Sequence, residues 1–148
     1  AGRTVVVTGS GAETALTAQV AAAAKGRGRV LDLGGALGLP ELAATLRRAD
    51  VVVAANTGPA HLAAAVGAAV VSLFAPVVPA SRWAPFATRR IVLGDQDAAC
   101  RGSRARTCPV PEHPCLSGVS PAQVVLAVEQ LSPHSRPPAT RSPAAVLA

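Results

Sequence analysis

Short apolar runs alternate along the chain with stretches in which apolar and polar positions are mixed. The runs at residues 4–9 (TVVVTG), 29–34 (RVLDLG), 50–55 (DVVVAA), 69–76 (AVVSLFAP) and 89–94 (RRIVLG) are short, mostly rich in Val and Leu, and several end in glycine or proline. Such runs read as strands covered on both faces. Between them lie residues 15–24 (ALTAQVAAAA), 40–49 (PELAATLRRA) and 59–67 (PAHLAAAVG), each long enough for two to three helical turns. The alternation predicts an α/β fold, a Rossmann-like parallel sheet with helices on both faces. A last helix is expected over 120–131, with Ser120 as its N-cap and Pro121 at its first position. Residues 132–148 are Pro-rich and aperiodic, the pattern of a disordered tail. The expected domain therefore spans 1–131, with a Cys-containing loop at 95–119 that interrupts the alternation. In an open parallel sheet, ligands sit beyond the carboxyl ends of the strands, which singles out the loops at 9–13, 56–61 and 75–83.

Composition narrows the partner. The chain has 148 residues, half of them apolar, enough for one core. It opens on Ala1 and contains no Met, so a fragment or detached domain is expected. The formal charge of +6 comes largely from Arg, in short clusters (Arg47 and Arg48; Arg89 and Arg90; Arg101, Arg104 and Arg106) and not in one stripe. That suits an anionic ligand. With Phe74, Trp83 and Phe86 as the only aromatics, there is no platform on which single-stranded nucleic acid would stack, and no nucleic acid partner is expected. No apolar run has the length of a membrane span and no signal peptide opens the sequence, so the domain reads as soluble and cytoplasmic.

Two loops carry candidate chemistry. VVVTGSGAETA sets Gly9 and Gly11 at the first two glycine positions of a dinucleotide fingerprint, with Asp32 ending the next strand at the distance of a ribose-binding acid. Thr14 stands where that fingerprint has its third small residue. An NAD site and a plain tight turn both fit. The stretch NTGPAHLAAAVG is more specific. Asn56 or Thr57 can cap the helix, Gly58 lets a ligand approach the backbone, and Pro59 belongs in a first helical turn. Free amides and the positive end of the helix dipole make an anion site there, and the His61 ring stands in the same turn, able to donate to a phosphate. A capped, buried helix with a core histidine is the alternative.

NTGPAHLAAAVGAAVVSLFAPVVPASRWAP resembles the signature of glycosyltransferase family 9, the heptosyltransferase group. In that family an (Asp/Asn)-(Ser/Thr)-Gly-x-x-His-(Leu/Val)-x-Ala-Ala segment precedes a strand ending in an aromatic, a small residue and Pro, then a loop with Pro and Trp. The likeness runs from about residue 4 to residue 131. It implies one half of a GT-B glycosyltransferase, the carboxyl-terminal domain that binds a nucleoside-diphosphate sugar as donor substrate, with no cofactor required.

By that resemblance, Thr57, Gly58 and Ala60 offer the donor phosphates a hydroxyl and backbone amides, with His61 close to the diphosphate. Asn56 stands where many members have an aspartate that touches the sugar. Asp32 holds the nucleoside ribose, and Gly9, Ser10 and Glu13 border the cleft. Arg82 and Trp83 shape its rim, or Trp83 packs a loop. The resemblance places the catalytic base in an amino-terminal acceptor domain missing from this chain, so no catalytic residue is expected here and the isolated fragment is expected to be inactive. A glycan or glycolipid is the implied acceptor, with peripheral membrane association of the full enzyme. An NAD-binding oxidoreductase domain and a non-catalytic nucleotide-binding domain are the alternatives.

The loop CRGSRARTCPVPEHPC gathers Cys100, Cys108, His113 and Cys115. Three thiols and an imidazole make a zinc set one reading, without the Cys-x-x-Cys spacing of a zinc knuckle; free thiols or a loop disulfide are the others. An odd cysteine count in a chain without a signal argues against a disulfide framework. Arg101, Arg104 and Arg106 beside it would meet an anionic acceptor or form a solvated face.

Overall fold

The computed structural model describes residues 3–26 and 28–132; the expected tail falls, from residue 133 on, outside them. Among the described residues five strands and six helices follow one another: β1 (Thr4–Gly9), α1 (Thr14–Ala23), β2 (Arg29–Gly34), α2 (Leu39–Arg48), β3 (Val51–Ala55), α3 (Gly58–Ala65), β4 (Ala69–Leu73), α4 (Ala80–Trp83), β5 (Arg90–Leu93), α5 (Pro114–Ser117) and α6 (Pro121–Leu131). A single 3-10 turn, Gly11–Glu13, leads into α1. The apolar runs become the strands, all paired in parallel. The expected strand at 69–76 stops at Leu73, where the chain heads for Pro76, a residue without a backbone N–H. The single-turn helices α4 and α5 arise inside stretches that read as loops.

The chain divides into two compact units, Ala1–Thr45 and Leu46–Ala148. In the first, β1 pairs with β2 in register from Thr4 opposite Arg29 to Gly9 opposite Gly34. Both strands end in glycine because α1 lies close over them. A Cβ on Gly9 would stand 2.7 Å from Thr17 Cγ2, and one on Gly34 would overlap the Thr17 side chain. Thr17 is buried as a result. Among the described residues β1 is paired along one edge only. Its Val5 and Val6 remain 48% and 39% exposed, so the burial on both faces that its valines predict is not reached here.

The second unit has the order β3-β4-β5. The middle strand carries the core. Val70, Val71 and Ser72, with Phe74 just beyond, are fully buried. Val71 packs with Ala127 and Leu131 of α6, against Ile91 and Leu93 of β5, and the alternate positions are covered as well, as expected of a central parallel strand. Helix α3 packs on β3 and β4 through buried alanines, Ala60, Ala63 and Ala64, whose small side chains bring its axis near the sheet. Helix α6 starts as its sequence predicts. The Ser120 hydroxyl accepts from Gln123 N–H at 3.3 Å while Ser120 N–H donates to Gln123 Oε1 at 2.7 Å, a reciprocal capping box. Among the described residues no helix is long and apolar enough to cross a membrane.

Candidate functional site

β3 ends at Ala55 and the chain turns into α3 through Asn56 and Thr57. Thr57 holds the N-cap position in extended conformation, with no side-chain bond to the helix. Its N–H and its hydroxyl both turn back to the Ala55 carbonyl, at 2.8 and 3.4 Å. The capping bond that Asn56 or Thr57 was expected to make is therefore absent. The first-turn amides of a helix lack intrahelical partners; here Pro59 has no N–H, and Ala60 N–H donates to the Thr57 carbonyl at 3.1 Å. Ala60 is also fully buried. The expectation that Ala60 offers an amide to a ligand is corrected accordingly, and the first-turn donor left open is that of Gly58.

Gly58 has no structural need to be glycine. Its φ is not positive, and a Cβ built on it would meet nothing within 4 Å. What its missing side chain provides is open access to the start of α3.

That access faces a cleft of about 590 Å³. Asn56, Thr57, Gly58 and His61 form one side; Val77, Val78, Pro79, Arg82 and Trp83 come from the segment after β4; Arg104 and Ala105 come from the long loop after β5. His61 is exposed on this surface, so the core-histidine alternative does not hold. Trp83, 53% exposed, lines the cleft instead of packing a loop. No carboxylate is among the lining residues. Two arginines and the start of α3 thus line one space, a field suited to an anion.

The long loop is laced to the segment after β4, which is how Arg104 reaches the cleft. Gly102 N–H donates to the Pro76 carbonyl at 2.8 Å and Arg104 N–H to the Val77 carbonyl at 2.9 Å. Gln96 Nε2 donates to the Phe74 carbonyl at 2.9 Å. Of the three arginines that the sequence groups together, Arg101 is tied to Asp97 at 2.9 Å, Arg104 lines the cleft and Arg106 does not. Sequence reading gave Arg104 no place at this site; its proximity in sequence to two similar arginines was the only signal.

Asp32, Gly9 and Ser10 belong to the first unit, where the sheet register brings them to the same ends of β1 and β2. Asp32 is exposed, and one of its oxygens accepts from Gly34 N–H at 3.0 Å. Ser10 is occupied locally. Its N–H and its hydroxyl both donate to the Glu13 carboxylate at 2.7 Å, and these bonds, the hydroxyl's first, hold Glu13 below its ordinary pKa.

The cysteines of the long loop are partly buried. Among the described residues no three His, Cys, Asp or Glu side chains form a group that could hold a metal ion. Cys100 and Cys115 are buried with Ala98 in an apolar cluster that includes Val77 and Leu116. Cys108 Sγ donates to the Val110 carbonyl at 3.2 Å, and His113 is exposed at the N-cap of α5. All three thiols are free. Burial, and after it the nearby Cys100 and Cys108 thiols, pushes the Cys115 thiol up. Cys100 and Cys115 act as core side chains beneath the loop.

The model of glycosyltransferase family 9 (heptosyltransferase) matches residues 1–113. The chain belongs to glycosyltransferase family 9. Among related sequences are the lipooligosaccharide heptosyltransferases 2 of two Campylobacter jejuni subsp. jejuni strains. That of serotype O:6 (strain 81116 / NCTC 11828) is 25% identical over 83 residues, covering 56% of this chain and 26% of the relative. That of serotype O:2 (strain ATCC 700819 / NCTC 11168) is 27% identical over 86 residues, covering 58% and 27%. The chain therefore matches about a quarter of the length of these relatives. The solved structure of a family 9 glycosyl transferase from Veillonella parvula DSM 2008 superposes with a TM-score of 0.70 at 22% identity, over 85% of this chain and 35% of that one. It shares the α/β fold of this family 9 chain.

Proposed function

We propose that this family 9 chain, over residues 1–131, binds a nucleoside-diphosphate sugar for glycosyl transfer of the heptosyltransferase type, as the donor half of the enzyme. The carrying observation is the cleft opened by Gly58, a glycine that packing does not require, beside an unpartnered first-turn amide and the exposed His61. The donor's diphosphate would lie at Thr57, Gly58 and His61, with Asn56 toward the sugar. In the first unit by itself, Asp32, whose second carboxylate oxygen makes no hydrogen bond within the described residues, is the candidate for a pair of ribose hydroxyls, with Gly9 and Ser10 as candidate donor contacts. When the acceptor hydroxyl attacks the anomeric carbon in line, the leaving diphosphate gains negative charge, and an oriented amide, a helix end and a donating imidazole stabilise it as it forms. The chain needs no cofactor for that role. The group that takes the acceptor's proton, and a glycan or glycolipid acceptor such as a lipooligosaccharide, belong to the amino-terminal half of the GT-B pair in this reading.

Against the NAD reading, packing of Thr17 already accounts for Gly9, although a Cβ on Gly11 of the same loop would meet nothing within 4 Å. Calorimetric titration with ADP, UDP, GDP and NAD separates the two. A nucleoside diphosphate is expected to bind, and both His61→Ala and Gly58→Val to weaken it. Binding of NAD alone, indifferent to both substitutions, would sink the donor-site reading.

A further inference from the structure

Among the described residues four non-glycine positions have left-handed backbone: Ala87, Arg104, Glu112 and His113, with φ between 51° and 62°. Of these, only Arg104 lines the cleft. A residue with a Cβ disfavours that conformation, and it persists only where surrounding structure imposes it, often at a ligand site. Here the imposing contacts are the bonds from Arg104 N–H to Val77 and from Gly102 N–H to Pro76.

The strain delivers a charge. Among the described residues the Arg104 and Arg82 guanidiniums have neither an ion pair nor a hydrogen bond, while Arg101, three residues from Arg104, is held by Asp97. Two cations on one cleft with no carboxylate on its walls repel each other until an anion with more than one negative charge lies between them. A guanidinium fork matches the paired oxygens of a phosphate group, which an ammonium does not.

We propose that Arg104, acting with Arg82, is a binding residue for a diphosphate group in this cleft, so that the long loop after β5 supplies half of the anion clamp. This rests on the donor-site reading and assigns the diphosphate a second contact, opposite the turn at Gly58. The left-handed backbone holds Arg104 in the wall of the cleft, so strain and affinity are linked: glycine at 104 relieves the first and removes the second. Arg101 plays no part in the clamp.

The test titrates the full chain with ADP, UDP, GDP and inorganic pyrophosphate, native and as Arg104→Gly, Arg104→Ala and Arg104→Lys, with Tm measured for each. Losing one charge-assisted contact is expected to weaken the tightest probe by about 10- to 100-fold in the Gly and Ala variants. Tm should stay level or rise in Arg104→Gly, because φ near +54° suits glycine. Arg104→Lys should recover only part of the affinity, and the dependence of binding on salt should become shallower in the Gly and Ala variants. A native chain that binds tightly, with Gly and Ala variants within twofold of it, overturns the clamp and leaves the donor site standing. A native chain that binds none of the four probes overturns both.

Discussion

Gly94→Ala is the substitution whose cost the structure defines most sharply. Gly94 follows β5 with φ +126°, and a Cβ there would lie 2.5 Å from the Phe74 carbonyl oxygen and 3.2 Å from that of Cys115. Neither neighbour is a flexible side chain. Phe74 is fully buried, and the Cys115 carbonyl accepts from Asp95 N–H at 2.9 Å. Relief must come from moving the start of the long loop away from the end of β4. The unfavourable backbone conformation alone costs about 1–3 kcal/mol. Loss of the Asp95 and Gln96 bonds to Cys115 and Phe74 adds about 1 kcal/mol each, for a total near 4 kcal/mol. Total stability of a domain is only about 5–15 kcal/mol, so the loss is a large share of it. Urea unfolding followed by far-UV circular dichroism reads it as a lower midpoint at nearly constant slope. Gly58→Ala is the control. With open space around it and an ordinary φ, it should change stability by less than about 0.5 kcal/mol. A cost below about 1 kcal/mol for Gly94→Ala would refute the idea that the loop is clamped at this point. Because the same loop carries Arg104, nucleotide binding should fall together with stability in Gly94→Ala and fall alone in Gly58→Val.

Two other expectations need only stability measurements. The Ser72 hydroxyl is fully buried in β4 and has no hydrogen-bond partner among the described residues; removing an unsatisfied group of this kind in Ser72→Ala should stabilise the chain by about 1 kcal/mol and raise Tm by a few degrees. A fall in Tm of similar size would mean that the hydroxyl is bonded. Glu13 has its pKa lowered from 4.5 by Ser10, so its contribution to stability is present above that value and is lost as pH falls through the folded-state value. Glu13→Gln should therefore have a lower Tm than the native chain near about pH 7, with the gap closing toward about pH 3; a gap that stays constant over that range would contradict the Ser10–Glu13 bonding.

The elements of this fold were legible because their signals are local. Alternation of Val-rich runs with Ala-rich stretches gave β1 and β2 to the residue and the remaining strands within a few positions; Ser120 and Pro121 gave the start of α6. Grouping of those strands into a pair and a triplet was not legible, since parallel pairing joins residues some twenty positions apart through bonds that no short pattern encodes. The site was half legible for the same reason. Asn56 to His61 form a contiguous motif whose turn chemistry can be read directly, but the direction of the Thr57 hydroxyl depends on the geometry at the end of β3. Arg104 could not be told from Arg101 or Arg106, because a hydrogen bond to Val77, twenty-seven positions earlier, decides which of them enters the cleft.

The glycines make the point in its most useful form. Gly9 and Gly58 each sit in a glycine-containing turn between a strand and a helix, and either could have been assigned to a phosphate. Gly9 cannot carry a Cβ because Thr17 stands 2.7 Å from where it would be; α1 accounts for it, and no ligand is required. Gly58 has room for a Cβ and an ordinary backbone, so neither packing nor conformation accounts for it. When both structural reasons for a glycine are absent and the residue opens a cleft without carboxylates, close approach by a ligand is the explanation left. That reasoning separates Gly58 from Gly9 but not from Gly11, where a Cβ would also meet nothing within 4 Å, and nucleotide binding by Gly58→Val beside Gly11→Val puts the two loops to the test.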